Sequence, residues 1–203
     1  MTRRVEVFAD VVCPFAYVGL TRILQKLDEA GRDDVAVVVR AWPLEVVNGK
    51  PMDGNFIGEE ADEIRPQVAP DLFGGFDAAA FPASSIPALA LTNAAYEVDG
   101  ATGLRVAMAV RRAVFEEGRD VADPVVLRQI ADEHGVASLG DPATVQADYD
   151  EGKARGVVGS PHFFVGDQSM FCPTLRISRD ANGHLVCTFD EAKAEEFLGL
   201  LLG

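Results

Sequence analysis

Two apolar runs of strand character, near Val5 to Val12 and Asp34 to Trp42, enclose one run of helical period, and that order constrains the fold more than any other feature. The first carries Val5, Val7, Phe8, Val11 and Val12. The second, Asp34-Val35-Ala36-Val37-Val38-Val39-Arg40-Ala41-Trp42, is β-branched and nearly continuous, the pattern of a strand buried on both faces. Between them Tyr17, Leu20, Ile23, Leu24 and Leu27 recur at spacings of three and four, and Gly31 follows as a stop. Strand, helix and strand in succession make a βαβ unit.

Cys13-Pro14-Phe15-Ala16 falls at the junction of that first strand and its helix. Pro14 suits the first helical position, where its missing N–H costs nothing. A cysteine at the tip of a helix faces unpaired N–H groups whose dipole favours an anion, so Cys13 is expected to form its thiolate at a lower pH than free cysteine. The position three residues on holds Ala16, so no dithiol is present. A lone thiolate attacks a disulfide and holds the mixed disulfide, but needs another thiol to release it. The plainer alternative for Cys13 is a small buried hydrophobe.

Length and charge set the class. The chain has 203 residues, 48% hydrophobic and 25% charged, enough for a proper core in one or two domains. With 18 basic against 32 acidic residues the net charge is -14, which argues against nucleic acid or an anionic membrane as partner. Arg3 and Arg4 are followed by no apolar h-region, so no signal peptide is expected, and no stretch reaches the roughly 18 to 20 apolar residues of a membrane helix. Three cysteines without export signals suggest a reducing cytoplasm, no disulfide framework and, at these spacings, no metal site.

From about Asn48 the pattern turns to Gly- and Pro-rich loops and then to helices. Asp123-Pro124 and Asp141-Pro142 each place an N-cap before a first-turn proline, Ser84 caps a helix running to about Val98, and Leu104, Ala107, Met108, Arg111, Val114 and Phe115 mark a helix closed by Gly118. Strand character returns at His162–Val165, Thr174–Ser178 and His184–Phe189, with Asn182-Gly183 as a hairpin turn between the last two, and a final helix follows Asp190.

Asp10-Val11-Val12-Cys13-Pro14-Phe15-Ala16-Tyr17-Val18-Gly19 resembles the active-site segment of cytoplasmic DsbA-like oxidoreductases of the FrnE type. It is also similar to 2-hydroxychromene-2-carboxylate isomerases and kappa-class glutathione transferases, which carry serine where this chain has Cys13. Arg112 to Asp120 with Asp123 to Leu127 resembles the helical insertion of the DsbA-like group, and Gly156 to Val165 resembles the segment bearing the cis-proline of thioredoxin folds. The resemblance implies an α/β thioredoxin-like fold with an all-α insertion: residues 1–50 and 152–203 form the thioredoxin-like part and 51–151 the helices. It also implies a cis Ser160-Pro161 bond beside Cys13, with the Ser160 backbone pairing with an extended thiol substrate.

On that resemblance Cys13 is the nucleophile, and Pro14, Phe15, Ala16, Ser160 and Pro161 form the substrate- or thiol-binding surface. Cys172 aligns loosely with the region where glutathione-binding relatives contact the γ-glutamyl group and is the candidate resolving thiol; the alternative is a core cysteine at a strand end. Cys187 reads as packing. His162 either tunes the thiolate as an imidazolium or sits exposed on a strand without a role. His134 and His184 read as surface residues, and Trp42 and Tyr17 as core.

The expected activity is a cytoplasmic thiol–disulfide oxidoreductase with one catalytic cysteine. It binds no cofactor tightly, uses glutathione or another low-molecular-weight thiol, and acts on a thiol or disulfide substrate; the resemblance also admits a homodimer. Two alternatives stand beside it: a small-thiol-dependent isomerase or transferase, and a binding or chaperone-like module whose redox site has decayed.

Overall fold

The βαβ unit opens the fold. In the computed structural model, which describes residues 3–202, strand β1 (Arg3–Ala9) leads into helix α1 (Pro14–Glu29) and strand β2 (Val35–Ala41) pairs parallel to β1 from Arg3↔Val35 to Ala9↔Ala41. Met1, Thr2 and Gly203, which the expected domain bounds include, lie outside the described residues. The chain then runs through helices α2 (Leu44–Asn48), α3 (Gly54–Val68), α4 (Ile86–Val98), α5 (Gly100–Phe115), α6 (Pro124–Glu133) and α7 (Pro142–Ala154). Strand β3 (His162–Val165) returns antiparallel to β1, and β4 (Gln168–Phe171) pairs with β3, giving the order β2-β1-β3-β4. A hairpin of β5 (Leu175–Arg179) and β6 (Leu185–Phe189) forms its own two-stranded sheet before helix α8 (Glu191–Leu202).

The helix signals act as expected. The Asp123 and Asp141 carboxylates accept N–H bonds from Val125 at 2.8 Å and Ala143 at 2.9 Å, each with proline in the first turn. α4 starts one residue later than expected, with Ser85 at the cap and the Ser84 hydroxyl accepting from the Ile86 N–H at 3.2 Å.

Two strand expectations need correction. β2 lies at the sheet edge with one face buried and the other half-buried rather than both buried, and helices take the place of a neighbouring strand. The Tyr96 hydroxyl accepts from the Val39 N–H at 2.8 Å and donates to the Val37 carbonyl at 3.3 Å, while Asp148 accepts from the Ala41 N–H at 2.9 Å. Gly103 permits this arrangement, because a Cβ there would lie 2.1 Å from the Tyr96 ring. The second correction is β4, which was not expected at all; its residues are mostly exposed and lack the apolar alternation of a half-buried strand.

Residues alternate across the sheet. Phe8 and Phe164 meet edge to face at 5.7 Å on the side where Trp42 packs on Tyr149 of α7. Phe163 points the other way, onto Phe197 of α8 at 5.0 Å. A single apolar core then continues from β1 and α1 into α3, α4 and α5.

Candidate active site

Cys13 is the N-cap of α1, with extended backbone (φ -85°, ψ 112°), and its S–H donates to the Ser160 carbonyl at 3.2 Å. The Ser160-Pro161 peptide is cis, as the resemblance implied. The Ser160 hydroxyl accepts from the Asp10 N–H at 3.0 Å, and the Pro161 carbonyl accepts from the Cys172 N–H at 3.0 Å. The end of β1, the start of α1 and the turn after β4 thus converge on the cis Ser160-Pro161 peptide before β3, whose Ser160 carbonyl meets the Cys13 sulfur. Pro14 and Ala16 are buried, and Phe15 is half-buried and packed against the core.

The expectation of an activated resting thiolate is overturned. Cys13 is only 3% exposed, and burial pushes its thiol up to about 11. The Ser160 side chain and the Ala16 N–H at the helix tip pull the other way, while the carboxylates of Asp10 and Glu60 raise it further. The helix end does act on the sulfur, but loss of water outweighs it. Cys172 is pushed up to about 12, with Cys13 and Cys187 as electrostatic neighbours, and Cys187 to about 11. All three are free and buried. Cys172 is also a non-glycine residue at positive φ, 44°.

These shifts have a stability consequence. Each thiol holds its proton more tightly folded than unfolded, where cysteine titrates near about 8.5. The resulting stabilisation is complete below the unfolded value and is lost as pH rises through the folded ones, about 11 to about 12. Urea melts are expected to show stability falling steadily above about pH 9. The fall should be shallower in Cys172→Ser; an equal slope would contradict the assignment.

His162 matches neither expectation. It is buried rather than exposed, stacked on Phe164 at 4.9 Å, and its Nδ1 accepts from the Val158 N–H at 3.2 Å, which assigns the ring proton to Nε2. Burial, Lys193 and Arg155 all lower its pKa, so it is no imidazolium partner for the thiolate. His184 is exposed and its Nδ1 lies 2.9 Å from Glu63, His134 caps the end of α6, and Trp42 and Tyr17 are core.

A buried polar floor was missed from the sequence. Asp10 is fully buried; its carboxylate accepts from the Val12 N–H at 3.1 Å, from the Ser85 hydroxyl at 3.1 Å and from the Leu44 N–H. Burial raises its pKa against those donors and against Arg111, which is itself fully buried on α5. The signal was available: Arg111 stood as a charge on an otherwise apolar helix face, and Asp10 interrupted an apolar strand.

α3 docks on the β5–β6 hairpin through its polar side chains. Gln67 donates to the Leu185 carbonyl at 3.0 Å and accepts from the Cys187 N–H at 2.9 Å, Glu63 accepts from the Leu185 N–H at 2.7 Å, and Glu60 pairs with Arg179 at 3.0 Å.

Residues 4–179 match the DSBA-like thioredoxin domain. The chain belongs to the DSBA-like thioredoxin family. No curated protein matches its sequence. Among solved structures, the probable DsbA oxidoreductase of Streptomyces coelicolor is 25% identical with a TM-score of 0.64, covering 83% of this chain and 82% of its own. The cytosolic disulfide reductase DsbM of Pseudomonas aeruginosa is 18% identical with a TM-score of 0.64, over 98% of this chain and all (100%) of its own. A 2-hydroxychromene-2-carboxylate isomerase is 17% identical with a TM-score of 0.55, over 83% and 88%. The last two likenesses establish the fold. Within the DSBA-like fold, this chain brings together Cys13, Ser160, Pro161 and the Cys172 backbone, while Ala16 occupies the position where a dithiol would place its second sulfur.

Proposed function

We propose that this chain is a thiol–disulfide oxidoreductase that works with the single cysteine Cys13, in the cytoplasm, on thiol or disulfide substrates. The observation that carries the reading is the contact of the Cys13 sulfur with the Ser160 carbonyl beside a cis proline, at a helix N-terminus. Once deprotonated, Cys13 attacks one sulfur of a disulfide R–S–S–R′, forming Cys13–S–S–R and releasing R′–S⁻. A second thiolate then attacks the mixed disulfide, carries R away as a new disulfide and restores Cys13. That thiol is glutathione or another small thiol; if Cys172, whose N–H is bonded to Pro161, attacks instead, it takes the Cys13 sulfur, forms Cys13–S–S–Cys172 and releases R–S⁻, and two small thiols then reduce that disulfide and restore Cys13. The cytoplasmic setting is supported by three unbridged cysteines and by the cytosolic relative DsbM. None of the described helices is long and apolar enough to cross a membrane.

The test is exposure to oxidised glutathione followed by peptide mapping. A single adduct at Cys13 is expected. In the parent a Cys13–Cys172 disulfide should follow it if Cys172 resolves, whereas Cys172→Ser should hold the glutathione adduct until a small thiol is added. No adduct at Cys13 would defeat the oxidoreductase reading.

One observation favours a second reading, a small-thiol-dependent isomerase or transferase. The resting Cys13 is a neutral S–H donor. A neutral donor there can hold a bound thiolate by a hydrogen bond, at the position where the similar isomerases carry serine. Activity that survives Cys13→Ser would select this reading.

A further inference from the structure

Arg111 is the largest of the fully buried side chains among the described residues. A guanidinium without water is costly unless it is paired, and the face of α5 that carries it is otherwise made of Ala107, Val110, Val114 and Phe115. Its partners are unusual. Nη1 donates to the Ala107 carbonyl at 2.6 Å, Nη2 donates to the Asp10 main-chain carbonyl at 3.1 Å, and Nε has no partner. The Asp10 carboxylate is engaged by Val12, Leu44 and Ser85 instead. The positive charge is therefore held against the root of the Cys13 loop without a direct carboxylate contact, and its field extends to Asp10, Tyr96 and Cys13.

That loop is fixed at both ends. Arg111 grips the Asp10 carbonyl, the Asp10 N–H is bonded to the Ser160 hydroxyl, and the Cys13 S–H is bonded to the Ser160 carbonyl. We propose that Arg111 is a positioning residue for Cys13: it pins the root of the active-site loop and supplies the buried positive charge that favours the sulfur anion when Cys13 attacks. This inference rests on the reading of Cys13 as the nucleophile. The other groups acting on this sulfur are the Ser160 side chain before β3, the Ala16 N–H of α1, Asp10 at the end of β1, Glu60 of α3 and Cys172 after β4, with Tyr96 of α4 beside Arg111 and Lys193 of α8 acting on Cys172. Asp10 and Glu60 oppose the anion. Arg111 offsets them.

The test is the pH dependence of Cys13 alkylation by iodoacetamide, read on the Cys13 peptide in the parent, Arg111→Gln, Arg111→Lys and Asp10→Asn, with thermal melting as the check on folding. Glutamine keeps a donor for the Asp10 carbonyl but removes the charge, whereas lysine keeps the charge. Arg111→Gln is expected to raise the alkylation midpoint by about one unit, which is about tenfold slower labelling below it. Arg111→Lys should stay within about threefold of the parent, and Asp10→Asn should move the midpoint down. A residue that merely fills space would not give shifts of opposite sign at Arg111 and Asp10.

A folded Arg111→Gln with the parent's midpoint overturns the proposal, as does an Arg111→Lys that shifts as far as Arg111→Gln. If Arg111→Gln does not fold, Asp10→Asn decides: a lower midpoint supports the charge balance and an unchanged or higher one overturns it. A parent Cys13 that takes no label at any pH where the protein is folded is a different result, and removes the nucleophile reading itself.

Discussion

Replacing Cys13 with serine is expected to abolish thiol–disulfide turnover, by roughly a thousandfold or more, with little change in the fold. Serine occupies nearly the same volume, and its hydroxyl can still donate to the Ser160 carbonyl that the S–H now contacts at 3.2 Å. What it lacks is an anion within reach of physiological pH and a sulfur able to form a mixed disulfide. The assay is glutathione-dependent reduction of a small disulfide, coupled to glutathione recycling, with melting temperatures measured in parallel. Near-parent turnover in Cys13→Ser would transfer the chemistry to a bound small thiol, as in the isomerase or transferase reading. Alanine is the informative companion, because it also leaves the Ser160 carbonyl unpaired in a buried site and should lower stability more than serine does.

The buried resting thiol sets a further requirement on that chemistry. Burial pushes the Cys13 thiol up to about 11, so only a very small fraction is ionised at neutral pH while the sulfur is buried. Water or substrate must reach the sulfur for the helix N-terminus and Arg111 to prevail over burial. Glu60 of α3, which acts on this sulfur, is itself paired with Arg179 of the β5–β6 hairpin.

The opening βαβ unit, the proline-led helices, the Asn182-Gly183 hairpin and the proximity of Cys13 to Ser160-Pro161 were all legible in the sequence, because each depends on local pattern or on a recognisable motif. β4 was less so. Its Gln168-Ser169-Met170-Phe171 has no period, although Gly166-Asp167 before it is a two-residue hairpin signal. The state of Cys13 was legible only as two alternatives, an activated thiolate or a small buried hydrophobe; the burial that decides between them depends on distant elements, among them α3 with Glu60 and Ser160 before β3. Arg111 shows the same limit from the other side. Helical spacing placed it correctly on the inward face of α5, but its contact with Asp10 joins residues 101 positions apart.

Truncating Phe115 to alanine is expected to cost about 3 to 5 kcal/mol of stability, the range for removing a large aromatic from a close-packed core. Phe115 is fully buried at the end of α5, stacked on Tyr17 at 5.2 Å, edge-on to Phe73 at 5.3 Å and stacked near Phe76 at 6.0 Å. Tyr17 lies one turn into α1, with its N–H bonded to the Cys13 carbonyl at 3.1 Å, so this ring stack ties the first turn of the catalytic helix to α5. The segment around Phe73 cannot easily collapse into the space. Glu116 holds the Phe73 and Gly74 N–H groups at 2.8 and 2.9 Å, and a Cβ at Gly75 would lie 1.9 Å from the Glu116 carbonyl oxygen. A rigid wall leaves a larger cavity and places the loss toward the upper end of the range. Urea denaturation measures it, with Phe115→Leu expected to recover about half. Cys13 alkylation measured on the still-folded fraction should quicken as the anchor of α1 loosens and the sulfur gains water. An unchanged alkylation rate alongside the full stability loss would mean that the first turn of α1 is held by Ser160 and Arg111 alone.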